Sequence, residues 1–193
     1  MAGYGIRTIV SLETAVLEGE DALEANRLVV APEELDITLM QLPIEDGADE
    51  QIMNKWVLTG LWGTSLNFAD ALQRWPSLYG EALNVITAAG GPVLIHCGRG
   101  HDRTGIVSLL LLTIAGATSR GITEDDLLSS RNLLEREPRP VEMLEAALTL
   151  AGTTAYAAIQ SAMDVVNDQW LHAAGVSVSS LAKIKPDLAA ACS

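Results

Sequence analysis

Cys97 and Arg103 stand with five residues between them in the stretch VLIHCGRGHDRTG at 93–105. Five residues can wrap so that successive backbone N–H groups point inward and form a concave anion site, and the loop's exit is the positively polarised start of the following helix. A tetrahedral phosphate dianion suits such a cup. Gly98 and Gly100 admit dihedrals and a close approach that a β-carbon would hinder. Arg103 can return toward the centre, where its planar fork binds two phosphoryl oxygens and tightens as the transition state spreads charge over them. Aligned amides, helix start and guanidinium together favour the thiolate of Cys97, which can attack phosphorus in line with the leaving oxygen and form a phosphocysteine. The Thr104 hydroxyl is placed to donate to that thiolate. His96 is read as orienting the loop through hydrogen bonds rather than as a base. Arg99 and His101 add basic side chains to the anion-binding set.

The elements that must hold this loop are legible on either side of it. Residues 93–95 are a short apolar strand candidate after the Gly-Gly-Pro punctuation at 90–92, and 105–116 (GIVSLLLLTIAG) is apolar on nearly all sides, the mark of a centrally packed helix closed by Gly116. Further strands are expected at 6–12 and 37–42, with an acidic helix at 13–26 between them and a polar loop at 44–50. Residues 52–86 read as helix in two or three pieces, broken near 60–63 and at Trp75-Pro76; Trp56, Trp62, Phe68 and Trp75 there are expected in the core or a pocket wall. Thr123 with Asp126 reads as a capping box opening a helix through Leu134. Pro138 and Pro140 are taken to separate it from a helix at 141–151, with more helix at 156–174 and 178–190. The expectation is an α/β fold, a central mostly parallel sheet flanked by helices with a helical C-terminal region. The 193 residues are read as a single domain, its core at about 1–135 and the helical part at about 138–193.

Charge narrows the partners. Acidic residues outnumber basic ones 25 to 12, the net charge is −13, and Lys55, Lys183 and Lys185 are the only lysines. Such a surface repels nucleic acid and anionic lipid, so neither is expected as a partner. The apolar stretch at 106–117 is too short to span a bilayer, and the first thirty residues carry Glu and Asp where a signal peptide needs Lys or Arg, so a cytoplasmic protein is expected. With Cys97 and Cys192 the only cysteines, neither a disulfide framework nor a zinc cluster is predicted; Cys192 is read as an incidental free thiol, and no metal or organic cofactor is expected.

The run from His96 to Gly105, HCGRGHDRTG, resembles the signature loop of the protein tyrosine and dual-specificity phosphatase superfamily, and its DRTG ending is similar to bacterial tyrosine and lipid phosphatases whose loop usually reads HCxxGKDRTG. Residues 6–12, LPIED at 42–46, PSLY at 76–79 and the helical stretch 129–171 resemble other parts of that family. The resemblance implies a tyrosine-phosphatase-like fold, phosphomonoester hydrolysis through a phosphocysteine, and one of two general acids. Asp46 resembles the acid-bearing loop of the dual-specificity enzymes, with Gly47 beside it as a hinge; Asp102 matches the position thought to serve as acid in bacterial relatives with the same Asp-Arg pair. Two departures stand out. The usual Lys is His101 here, removing a permanent cation that would support a phosphoinositide preference, and the chain begins almost at the first strand, which predicts an altered substrate-facing rim. The substrate is thus a phosphotyrosine protein or a small phosphate monoester such as a nucleotide, sugar or inositol phosphate. A phosphate-binding module without turnover is the non-enzymatic alternative.

Overall fold

The computed structural model describes residues 4–13, 37–59, 63–135 and 138–191. Among the described residues, β1 (Thr8–Ser11), β2 (Thr38–Gln41) and β3 (Val93–His96) form one parallel sheet in the order β2-β1-β3. β1 takes the centre because Thr8 and Val10 bury their β-branched side chains and Leu12 continues the buried face. Ser11 lies opposite both Gln41 and His96, so the three strands end level. The ladder extends one step beyond them: Leu12 N donates to His96 O at 2.9 Å and Leu42 N to Ser11 O at 2.8 Å. Glu13, the 42–46 segment and Cys97 therefore leave the sheet together at its carboxyl edge, where open parallel sheets hold their ligands.

Helices flank this sheet: α1 (Glu50–Thr59), a 3-10 turn (Ser65–Asn67), α2 (Phe68–Arg74), α3 (Pro76–Ala88), α4 (Asp102–Ala115), α5 (Ser119–Leu134), α6 (Pro138–Ala151), α7 (Ala155–Val165), α8 (Asp168–Ala173) and α9 (Val178–Ala191). The architecture is the α/β fold expected. Within it α4 packs against α3, α5, α7 and α9, burying Ile106, Val107, Leu109, Leu110 and Ile114, which is why its sequence lacks a polar face. Gly116 at φ +88° ends it in the left-handed conformation, and Ala117 N returns to Leu112 O. Trp56, Phe68 and Trp75 are core residues, the two indoles meeting edge to face at 5.6 Å.

The helical C-terminal part shares this core through Ile159, Trp170, Ala174 and Ile184. Trp170 Nε1 donates to Leu72 O at 2.7 Å, and the Asn84 side chain takes Ser177 N at 2.9 Å while donating to Gly175 O, also at 2.9 Å. Gly80 lets α3 touch the end of α8: a β-carbon there would lie 1.8 Å from Ala174 O. No helix among the described residues is long and apolar enough to cross a membrane.

Three boundary expectations are corrected. α5 starts at Ser119, capped by Thr118 whose Oγ1 accepts from Gly121 N at 3.2 Å, so Thr123 and Asp126 are no capping box; Thr123 donates to Ser119 O within the helix, and Asp126 is buried. Pro138 and Pro140 lie inside the first turn of α6, where a missing N–H costs no helical bond. The stretch 156–174 is split at Val166-Asn167, because the Asn167 side chain accepts from Trp170 N at 3.0 Å and starts α8 afresh. Of the helix expected at 13–26 only Glu13 lies among the described residues, and Trp62 and Cys192 fall outside them.

Candidate active site

β3 delivers His96 and then Cys97 to the carboxyl edge, the chain turns through residues 98–101, and α4 begins at Asp102. Gly100 sits at φ +70°, the left-handed region that an L side chain adopts only with strain. His101, at the N-cap of α4, makes no side-chain bond to the amides of the first turn. Cys97 is 7% exposed, at the floor of the loop. Thr104 Oγ1 donates to Cys97 Sγ at 3.2 Å.

Arg103 is partly exposed, and its Nε lies 3.8 Å from Oε2 of Glu45, a residue only 6% exposed. Glu45 was not among the residues singled out in the sequence. Burial pushes its carboxyl up, and the Arg103 guanidinium pulls it back down. Tyr79 of α3, fully buried with its hydroxyl unpartnered, feels Glu45, Asp102 and Arg103; its phenol is pushed well up, first by burial and then by the negative charge of Glu45.

The two acid candidates occupy contrasting surroundings. Asp46 is exposed and closes its own turn, Oδ1 accepting from Ala48 N at 2.9 Å. It lines, with Pro43, Glu45, Trp75, Ser77 and Leu78, an open cavity of about 380 Å³. Asp102, by contrast, keeps Oδ1 sealed from solvent with no well-formed hydrogen bond among the described residues, although the residue as a whole is partly open. Burial first, and then the charge of Glu45, push its carboxyl up to about 7, against the opposing pull of Arg103 and the Asn67 amide.

The remaining residues separate into those at the rim and those turned inside. Gly98, Arg99 and Gly100 are exposed on the loop; a β-carbon at Gly98 would approach Glu13 Oε1 at 2.9 Å, which puts the Glu13 carboxylate against the loop. His101 is 4% exposed and its Nε2 lies 2.9 Å from Ser130 Oγ of α5, so this side chain is engaged in the interior. Burial and then Arg99 push its imidazole down, which keeps it neutral at neutral pH. His96 is half-buried and contributes its carbonyl to the sheet. Glu45 and Tyr79 lie within the LPIED and PSLY stretches, but neither they nor Ser130 stood out individually, since each is separated from the loop along the chain and only burial reveals its role.

A family model described as the tyrosine phosphatase family matches residues 1–189. Among curated proteins, a tyrosine-protein phosphatase of Nostoc commune is 26% identical over 148 residues, covering 72% of this chain and 45% of that protein. The triple specificity protein phosphatase PtpB of Mycobacterium tuberculosis is 32% identical over 139 residues, covering 59% of this chain and 50% of that protein. The chain thus spans half or less of the length of these relatives.

Proposed function

From the premise that the chain belongs to the tyrosine phosphatase family, we propose that it is a cysteine-dependent phosphomonoesterase acting on phosphotyrosine or a similar aryl phosphate. One observation carries the reading: a cysteine sulfur on the loop floor takes a hydroxyl hydrogen bond from Thr104, within the same strand-loop-helix unit that presents Arg103. In the first step the Cys97 thiolate attacks phosphorus. The Sγ–P bond forms as the bond to the leaving oxygen breaks, and Asp102 gives its proton to that oxygen. Arg103, the backbone amides of 98–102 and the start of α4 hold the equatorial oxygens, and Glu45 fixes the guanidinium. In the second step water attacks phosphorus and passes a proton to the Asp102 carboxylate. The Sγ–P bond then breaks, phosphate leaves, and Thr104 receives the thiolate again.

Asp102 is preferred to Asp46 as the acid because a carboxyl held near 7 is still substantially protonated at neutral pH, whereas the Asp46 side chain is occupied by its own turn. Pro43, Trp75 and Leu78 supply apolar walls beside Glu45, in keeping with an aromatic leaving group. The surface charge of −13 favours a second reading with the same chemistry, a small phosphorylated metabolite, because such a surface offers no docking site for an acidic phosphoprotein.

The test compares phosphate release, in reductant, from a phosphotyrosyl peptide and from nucleotide, sugar and inositol phosphates. Higher kcat/KM on the peptide supports the aryl reading, and preference for one metabolite transfers the substrate to the second. Phosphate binding without release from any of them, or a Cys97→Ser variant with native turnover, overturns the phosphatase reading.

A further inference from the structure

Behind the loop lies a group of polar side chains of which the mechanism above uses only Asp102. Ser65 Oγ, both amide atoms of Asn67, Asp102 Oδ1 and both carboxylate oxygens of Asp126 are all sealed from solvent and find no well-formed hydrogen bond among the described residues. They converge from three elements: Ser65 and Asn67 from the 3-10 turn, Asp102 from the first turn of α4, Asp126 from the second turn of α5. The convergence needs Gly105, where a β-carbon would stand 3.8 Å from Asp126 Oδ1 and 3.2 Å from the Phe68 ring. Asn67 lies close enough to Asp102, and Ser65 to Asp126, for a weak side-chain hydrogen bond to draw each carboxylate down, yet neither pair reaches full hydrogen-bond geometry.

An unpaired buried carboxylate is costly, and two facing the same interior space can both persist only if they hold a proton. Burial, and then the neighbouring Asp125 charge, push Asp126 up to about 6, and the Asp126 charge in turn adds to the burial and Glu45 effects on Asp102. The charged and titratable groups facing Asp102 are Glu45 from the segment after β2, Tyr79 from α3, Arg103 of its own turn and Asp126 from α5. Asp126 is the one of these outside the phosphate site that a conservative change can neutralise.

We infer that Asp126 is a positioning residue for the general acid: from behind the loop it keeps the Asp102 proton in place for the leaving oxygen, and the Asn67 amide opposes it. The inference rests on Asp102 being the acid. Its experiment is the pH profile of kcat/KM on an aryl phosphate with a poor leaving group, for the intact protein and for Asp126→Asn, Asn67→Ala and Asp125→Asn. Loss of the Asp126 charge should move the alkaline limb to lower pH, by roughly a few tenths of a unit. Loss of the Asn67 amide should move it to higher pH, and Asp125→Asn, an exposed neighbour, should move it far less than Asp126→Asn does.

Coincident profiles for Asp126→Asn, Asp125→Asn and the intact protein overturn the inference, as do shifts of the same sign for Asp126→Asn and Asn67→Ala. If Asp126→Asn does not fold, a profile for Asn67→Ala that is unmoved or moved to lower pH does the same. An Asp102→Asn variant tells the two levels apart. Equal losses from it on good and poor leaving groups reject Asp102 as acid and take this inference with it. A selective loss on the poor leaving group, with unmoved limbs elsewhere, rejects the role of Asp126 alone.

Discussion

On the proposed mechanism, the chemistry at Cys97 depends on how few groups reach it and on which of them hold a proton. If Asp102 is the acid, Asp102→Asn should cut turnover of a poor-leaving-group aryl phosphate by about 100-fold or more while sparing a good leaving group. The alkaline limb of the poor-leaving-group profile, expected near pH 7 from the raised carboxyl, should vanish with it. Thr104 tests the other half of the cycle. With its hydroxyl 3.2 Å from Cys97 Sγ, Thr104→Val should slow release of the proposed phosphocysteine more than its formation, and rapid-quench kinetics should show a larger burst of leaving group than the intact protein gives. Glu45 acts through Arg103: Glu45→Gln frees the guanidinium from its buried anchor, which should raise KM and lower kcat together, with Glu45→Asp recovering part of both.

Between elements, the positions that matter are those where backbones or rings nearly touch. Gly80→Ala would drive a β-carbon into the Ala174 carbonyl, a backbone atom that cannot yield cheaply, and should destabilise the fold by about 3 kcal/mol or more in chemical denaturation. Gly105→Ala meets the tip of the Phe68 ring, which can shift by a few tenths of an ångström, so its cost should be smaller. Its effect on the pH profile should be larger, because it also crowds Asp126 against the first turn of α4. Helix boundaries were readable from sequence where a single residue dictates them, as at Gly116, and misread where two signals compete. Thr118 and Thr123 both look like caps, and what decides between them is that the face carrying Ile122 and Asp126 packs inward, which no local pattern states.

For the molecule as a whole, the C-terminal helices are expected to unfold with the sheet. Trp170 reaches Leu72 and Asn84 grips the turn before α9, so tryptophan fluorescence and far-ultraviolet circular dichroism should report one coincident transition. Stability should also carry the mark of its buried acids. Asp102 and Asp126 bind protons more tightly folded than unfolded, so their contribution is present at low pH and is lost as pH rises from about 4 toward 6 and 7. His101 runs the other way, its contribution falling as pH drops below the ordinary histidine range. Asp126→Asn should therefore gain stability relative to the intact protein as pH is raised across that window, and a difference that stays constant with pH would contradict the burial of this carboxylate. What the sequence determined by itself was the loop with its strand before and helix after, because the cup is made by backbone over a handful of consecutive residues and by the Cys97 to Arg103 spacing. Tertiary structure alone decided which carboxylates meet behind that loop. Glu45, Tyr79 and Asp126 are written in the sequence like any surface residues, and only folding removes the water that would otherwise keep their charges independent.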